Sequence, residues 1–267
     1  MTFGKLLFGR IETSVVLGTI LIVLLFAIGT RGLWLSSIPN VLALTSLVGV
    51  IAIGQALLMT SGEVDLSVGS VYAFTSVAFL TVMGFGIGVL PAIVAALLVA
   101  AAIGFINGVV TTRFKVPSMI VTLGAMFIFR GLTYIQTTGY SLSIPRPYRS
   151  DTLIWLLGGK SFGYSHSIVV LLVLAALFVF ILARTRLGSH IFAVGGEPEA
   201  ALSNGVSPTI LKIKVFVICS VLAGLAGVVA TCGSGSVYSS SGKLLELDTI
   251  AACVIGGCTL RGGIGSV

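Results

Sequence analysis

Charge is what this chain of 267 residues lacks most. Asp, Glu, Lys and Arg together make up 9% of it, hydrophobic residues 57%, and the mean hydropathy is +1.17. A soluble domain carries about a quarter charged residues, so that class is excluded and a membrane protein is implied. Histidine is scarce as well. His166 and His190 stand at the ends of apolar runs, apart from other ligating or catalytic side chains. With no nucleophile beside a base and no cluster fit for a metal, a membrane enzyme has little support. Cysteine is limited to Cys219, Cys232, Cys253 and Cys258, in or beside apolar runs with no CxxC pair. These read as small buried packing residues, not as a metal or disulfide framework. A phosphate loop is missing too: "GGKS" at Gly158 to Ser161 has Ile154 where the motif requires glycine.

What is present is a series of long uncharged stretches. Crossing about 30 Å of hydrocarbon takes roughly 20 apolar residues, and hydropathy with its Gly and Pro breakers predicts eight spans. They lie at about 13–30, 39–60, 66–84, 89–112, 117–137, 167–183, 213–232 and, shorter, 248–262. The fold class expected is all-α, a polytopic helical membrane protein. The first run is read as a retained helix, since no small-residue cleavage pattern follows it. The net charge of +7 sits at span ends, where its role is topological. With the N-terminus inside, Lys5, Arg10, Arg113, Lys115, Arg184, Arg186, Lys212, Lys214 and Arg261 are cytoplasmic. Arg31, Arg146, Arg149, Lys160 and Lys243 are then external, with Arg130 inside a span.

Two loops are long enough for roles of their own: an external one, Thr138 to His166, and a cytoplasmic one, Arg184 to Lys212. In the second, "EPEAALSN" has proline where a first helical turn tolerates it, early acids, and "NG" as a stop, which predicts a short helix. That helix lacks a basic face, so docking to a soluble partner fits it better than lying on the bilayer.

Glu63 and Asp65, in "SGEVDLSVGS", interrupt one of the most apolar regions. No charged residue or histidine occurs from Gly32 to Gly62 or from Leu66 to Thr112. Carboxylates at such depth persist where they are paired, capped or lining a polar cavity. Asp65 is placed to cap the third span by accepting from the amide of Ser67 or Val68, and Gly62 and Gly69 permit close backbone approach. A second acid pair, Glu246 and Asp248 in "LLELDTIAACVIGG", repeats the one-residue gap before another apolar run. Five crossings separate the pairs, so they open on opposite sides, the geometry of an inverted repeat whose broken helices meet at a transport pathway.

With those motifs placed, the chain resembles the permease subunits of bacterial ATP-driven importers of the ribose, xylose and galactose type, related more distantly to branched-chain amino acid permeases. The resemblance rests on four blocks in order: "GEVDLSVGSV", "INGVVTTRFKVPSMIVTLGAMFIFRGLTYI", "FAVGGEPEAALSNGVSP" and "ELDTIAACVIGGCTLRGGIGSV". It implies alternating access with no covalent chemistry on the solute. It also implies a second permease copy or homologue, cytoplasmic cassette ATPases that bind ATP and Mg in its stead, an external sugar-binding protein, and the bacterial inner membrane.

By the resemblance, Gly195, Gly196, Glu197, Pro198, Glu199, Ala200, Ala201 and Gly205 couple to the ATPase. Glu63, Asp65, Ser67, Gly69, Glu246 and Asp248 are the candidates for the helix starts beside the pathway. Glu63 stands where the family usually has glycine, Glu197 where it has asparagine, and Cys258-Thr259 where it has Thr-Ser. Relatives continue through two further spans, so a chain ending at Val267 is expected to be truncated or impaired. Other readings that the residues leave open are an ion-coupled carrier or channel, and a permease for nucleosides or amino acids.

Overall fold

A computed structural model describes residues 11–266, with side chains from residue 15 onward; Lys5 and Arg10 lie outside the described residues. The helices follow the apolar runs: α1 (Ile11–Gly29), α2 (Ile38–Thr60), α3 (Val68–Gly84), α4 (Val89–Arg113), α5 (Ser118–Thr137), α6 (Thr152–Gly158), α7 (Ser167–Arg184), α8 (Arg186–Gly196), α9 (Pro198–Ser203), α10 (Pro208–Ser234) and α11 (Leu245–Ile255). Among the residues whose side chains are described, five apolar segments are long enough to cross a membrane: α2 with the turn before it, α4, α5, α7 and α10, while α3 and the Val15–Gly29 part of α1 are shorter apolar stretches. The all-α, polytopic class expected from composition is what the chain adopts.

The last predicted span differs. It was placed at 248–262, whereas α11 starts at Leu245 and stops at Ile255. Eleven residues rise about 16 Å, half of the hydrocarbon thickness. Gly257, at φ 96°, ends the helix: the Cys258 amide donates to the Cys253 carbonyl at 2.9 Å and the Gly257 amide to Val254 at 3.1 Å. This paired closure needs a left-handed residue, which glycine supplies without a Cβ clash. An apolar run therefore did not extend the helix past Gly256-Gly257.

Helix α10 occupies the centre, and small residues bring its neighbours close. A Cβ on Gly54 of α2 would meet the Cys219 backbone at 2.8 Å, one on Gly104 of α4 would meet the Phe216 carbonyl at 2.6 Å, and one on Gly227 would overlap the Tyr72 carbonyl of α3. Close backbone approach through small residues is the usual way that apolar helices associate in lipid, where burial from water contributes little. Cys219 and Cys232 are buried in this packing, and all four cysteines are free and buried, as the sequence suggests.

Outside the bundle, two short antiparallel pairings organise the loop 138–166. Strand β1 (Leu142–Ser143) pairs with β4 (Ser236–Val237), tying this loop to the segment after α10. Strands β2 (Lys160–Ser161) and β3 (Tyr164–Ser165) form a hairpin. The "GGKS" stretch thus enters a hairpin. His166 is held there by Ser161 Oγ at 2.8 Å and the Trp155 carbonyl at 2.9 Å, a structural use of both ring nitrogens.

Candidate functional site: two helix starts within the bundle

Helix α2 ends in a closure like that of α11. The Glu63 amide donates to Leu58 at 3.1 Å and the Gly62 amide to Met59 at 2.9 Å, with Gly62 at φ 87°. The chain then turns back and reaches α3 only at Val68. In this return Val64 and Leu66 donate their amides to Ser118 Oγ (3.3 Å) and Thr122 Oγ1 (3.0 Å) of α5. Buried backbone donors need such partners, which gives the hydroxyls in the first two turns of α5 their use.

Asp65 is fully buried. Its Oδ1 accepts from the Ser67 amide at 2.7 Å and from Ser67 Oγ at 2.6 Å, and Asn107 Nδ2 of α4 donates to the same hydroxyl at 3.0 Å. Asp65 is therefore not the N-cap of α3, a position that Ser67 holds without a side-chain cap; it bonds the Ser67 amide, one of the two expected, from the turn before the helix, and also the Ser67 hydroxyl. Asn107 and Gln55 are buried polar residues that the sequence reading does not single out. Each is a buried amide within a long apolar helix, and that rarity was the available signal. Asn107 lies six residues, about 9 Å, in from Arg113 at the end of α4. Helix α3 consequently begins inside the bundle and not at its surface.

The second acid pair comes to this same place. Gly69, in the first turn of α3, lies so close to the Gly242 carbonyl and the Glu246 carboxylate that a Cβ would overlap both. Arg130 of α5 supports the approach, donating from Nη1 to the Ser241 carbonyl at 2.6 Å and from Nη2 to Gly242 at 3.2 Å. The start of α11 is thereby held against the start of α3, at the positive end of the α3 dipole. Asp65 Oδ2, Ser70 Oγ and Glu246 Oε2 are buried with no hydrogen-bond partner among the described residues.

The two pairs are not local copies, however. Asp65 precedes its helix by three residues, whereas Glu246 and Asp248 are already in the first turn of α11. Asp248 is exposed and takes no part in the junction. Glu63 turns away from Asp65 altogether: its Oε1 receives Lys212 Nζ at 2.6 Å.

Beside the junction is a groove of about 430 Å³ whose lining includes Phe127, Arg130, Tyr134, Ser239, Lys243 and Glu246. Among the aromatic residues, Tyr134 faces this groove. Phe74 and Phe129 pack on one another at 5.2 Å, and Trp34 packs on Phe26 at 6.0 Å.

The segment 184–212 folds as α8 and α9. Pro198 opens α9, and the Asn204-Gly205 pair closes it, with Gly205 at φ 82°. Glu197, Pro198, Glu199, Ala200 and Gly205 are exposed, while Ala201 is buried. Gly195 faces inward, where a Cβ would overlap the Thr60 carbonyl, and Gly196 abuts Gly263. The Gly263 amide donates to that Thr60 carbonyl at 2.9 Å. The predicted coupling residues thus divide into an outward set and an inward seam.

The profile of the family described as branched-chain amino acid transport system / permease component matches residues 37–267. The ribose import permease protein RbsC of Escherichia coli K12 is 31% identical over 256 residues, covering 96% of this chain and 80% of that protein. The L-arabinose ABC transporter permease protein AraH of Azospirillum brasilense is 37% identical over 234 residues, covering 86% and 67%. The xylose transport system permease protein XylH of Haemophilus influenzae is 32% identical over 302 residues, covering 91% and 80%. No solved structure matches the chain. A bundle of apolar spans, two short helices that start within it, and a match over nearly all of its length lead to one assignment: the chain belongs to the branched-chain amino acid transport permease family.

Proposed function

We propose that this chain is the membrane-spanning permease of an ATP-driven importer that moves a monosaccharide by alternating access. A separate cassette ATPase binds ATP and Mg and docks on the exposed face of Glu197, Pro198, Glu199, Ala200 and Gly205. A second permease, a copy or a homologue, completes the pathway, and an external binding protein delivers the solute. The chain sits in the bacterial inner membrane with its N-terminus inside.

The observation that carries this reading is the meeting of α3 and α11 within the bundle. Two helices too short to need the full thickness place Asp65, Ser67, Gly69 and Glu246 at one junction, the arrangement expected where a pathway crosses the membrane. The groove beside it combines hydroxyl, cationic, carboxylate and aromatic groups. Relatives named for ribose, L-arabinose and xylose support a sugar as the cargo.

The test is purification from the native membrane, mass spectrometry of whatever accompanies the chain, and reconstitution of the purified assembly in vesicles. A co-purifying P-loop ATPase, with ATP-dependent uptake of ribose, arabinose or xylose, is the expected result. A lone chain that moves solute on an ion gradient would instead establish a secondary carrier.

A further inference from the structure

The ion pair between Glu63 and Lys212 joins segments 149 residues apart and is the one pair within 4 Å among the residues whose side chains are described. The side chains keep only 16% and 19% of their exposure. Its position is more informative than its strength. Lys212 is in the second turn of α10, whose first turn is capped by Ser207 Oγ on the Ile210 amide. Between Ser207 and α9 there are only three residues, Asn204 to Val206, and the Val206 amide is bonded to Ala201 of α9 at 3.0 Å. Glu63, at the other end of the pair, is two residues from Asp65 in the return segment whose amides are tied to α5.

We propose that Glu63 and Lys212 form a coupling latch by which displacement of α9 is passed to the Asp65 segment and so to the start of α3. The inference rests on the importer reading above. Besides the packing of α10 itself on α2 and α3, the glycine seam at Gly195, Gly196, Gly262 and Gly263 also links these parts; there a Cβ on Gly262 would meet the Gly195 carbonyl at 2.8 Å and the Gly62 backbone at 2.8 Å. In that seam Gly263 is bonded to Thr60 of α2, but Gly195 and Gly196 meet it through backbone contact alone, which resists compression more than it transmits a pull. A lysine on a flexible stem can follow a moving carboxylate, release it and re-form the pair. Because both groups are largely buried, separating them leaves charges uncompensated, which favours two discrete arrangements over a continuum.

The experiment uses the complete reconstituted transporter and reads sugar moved per ATP hydrolysed. The variants are Glu63→Gln, Lys212→Gln, the two combined, and the conservative Lys212→Arg. Each single neutral variant is expected to lower the ratio about fivefold or more, the scale of a coupling energy between sites. The double variant should lose no more than either single one, and Lys212→Arg should retain most of the ratio. Unchanged ratios, or losses that multiply in the double variant, would overturn the latch. Losses explained wholly by failed assembly, seen as a missing complex on size-exclusion, would assign the pair a structural role and overturn it equally. Lack of any ATP-dependent uptake by the unaltered complex is a separate outcome, which removes the importer reading and the latch with it.

Discussion

Asp65 places both of its hydrogen bonds on one oxygen and directs them at one residue, Ser67. Replacing it by alanine strands a buried amide and a buried hydroxyl, at a cost of about 1–3 kcal/mol for each donor left without a partner. Asp65→Ala is expected to lower the thermal midpoint of the detergent-solubilised protein clearly, and Asp65→Asn, which keeps an acceptor oxygen, to lower it less. Equal shifts in the two variants would show that charge, and not hydrogen bonding, is what the site requires. Much at this scale was legible in the sequence, because a carboxylate two residues before a serine at a helix start has a local partner within reach. The partner of Glu63 was not legible, since Lys212 is brought to it only by the packing of α10 against α2. The separation of Glu246 from Asp248 was hidden for a similar reason: on a helix, residues two apart point in different directions, and only the neighbours decide which of them is buried.

At the scale of elements, α9 forms where its composition places it, opened by Pro198 and stopped at Asn204-Gly205. Its acids, Glu197 and Glu199, are exposed together with Leu202. Reversing both acids to lysine is expected to leave membrane insertion intact and to cut sugar uptake per ATP about tenfold, a coupling loss of the size linkage permits. Normal uptake in that variant would remove the docking role of this face. Helix α11 is where hydropathy misled: the apolar run continues beyond Gly256, but a paired closure at Gly257 ends the helix and sends Gly262 and Gly263 back onto α8. Helix α8 was not foreseen either. It carries glycines at 188, 195 and 196, which weaken helix propensity and are there for contact, Gly188 against Leu182 and Gly195 against Thr60.

At the scale of the molecule, the segment ends that the charge count assigns to the cytoplasm do come together: Thr60 with Gly195 and Gly263, and Glu63 with Lys212. The opposite ends are joined by the pairing of β1 with β4. Two cysteine variants check the absolute sidedness. Tyr164→Cys, on the β2–β3 hairpin, should react with an impermeant maleimide in intact cells, and Leu202→Cys, on α9, only after the membrane is opened. The native cysteines are buried and contribute little background. The reverse labelling pattern would invert the proposed orientation.

Hydropathy and breaker residues alone dictate that this chain spans the membrane repeatedly, where most of its helices run, and that a few carboxylates sit at depths where they need a reason. Those properties depend on transfer free energy and local backbone preference, which act over a few residues at a time. Which carboxylates meet could not be read in that way. The junction of Gly69 with Gly242 and Glu246, the support from Arg130 and the reach of Lys212 to Glu63 join residues more than a hundred positions apart. Such contacts follow from the close approach of helices through Gly54, Gly69, Gly104 and Gly227, and glycine marks a possible approach without naming its partner.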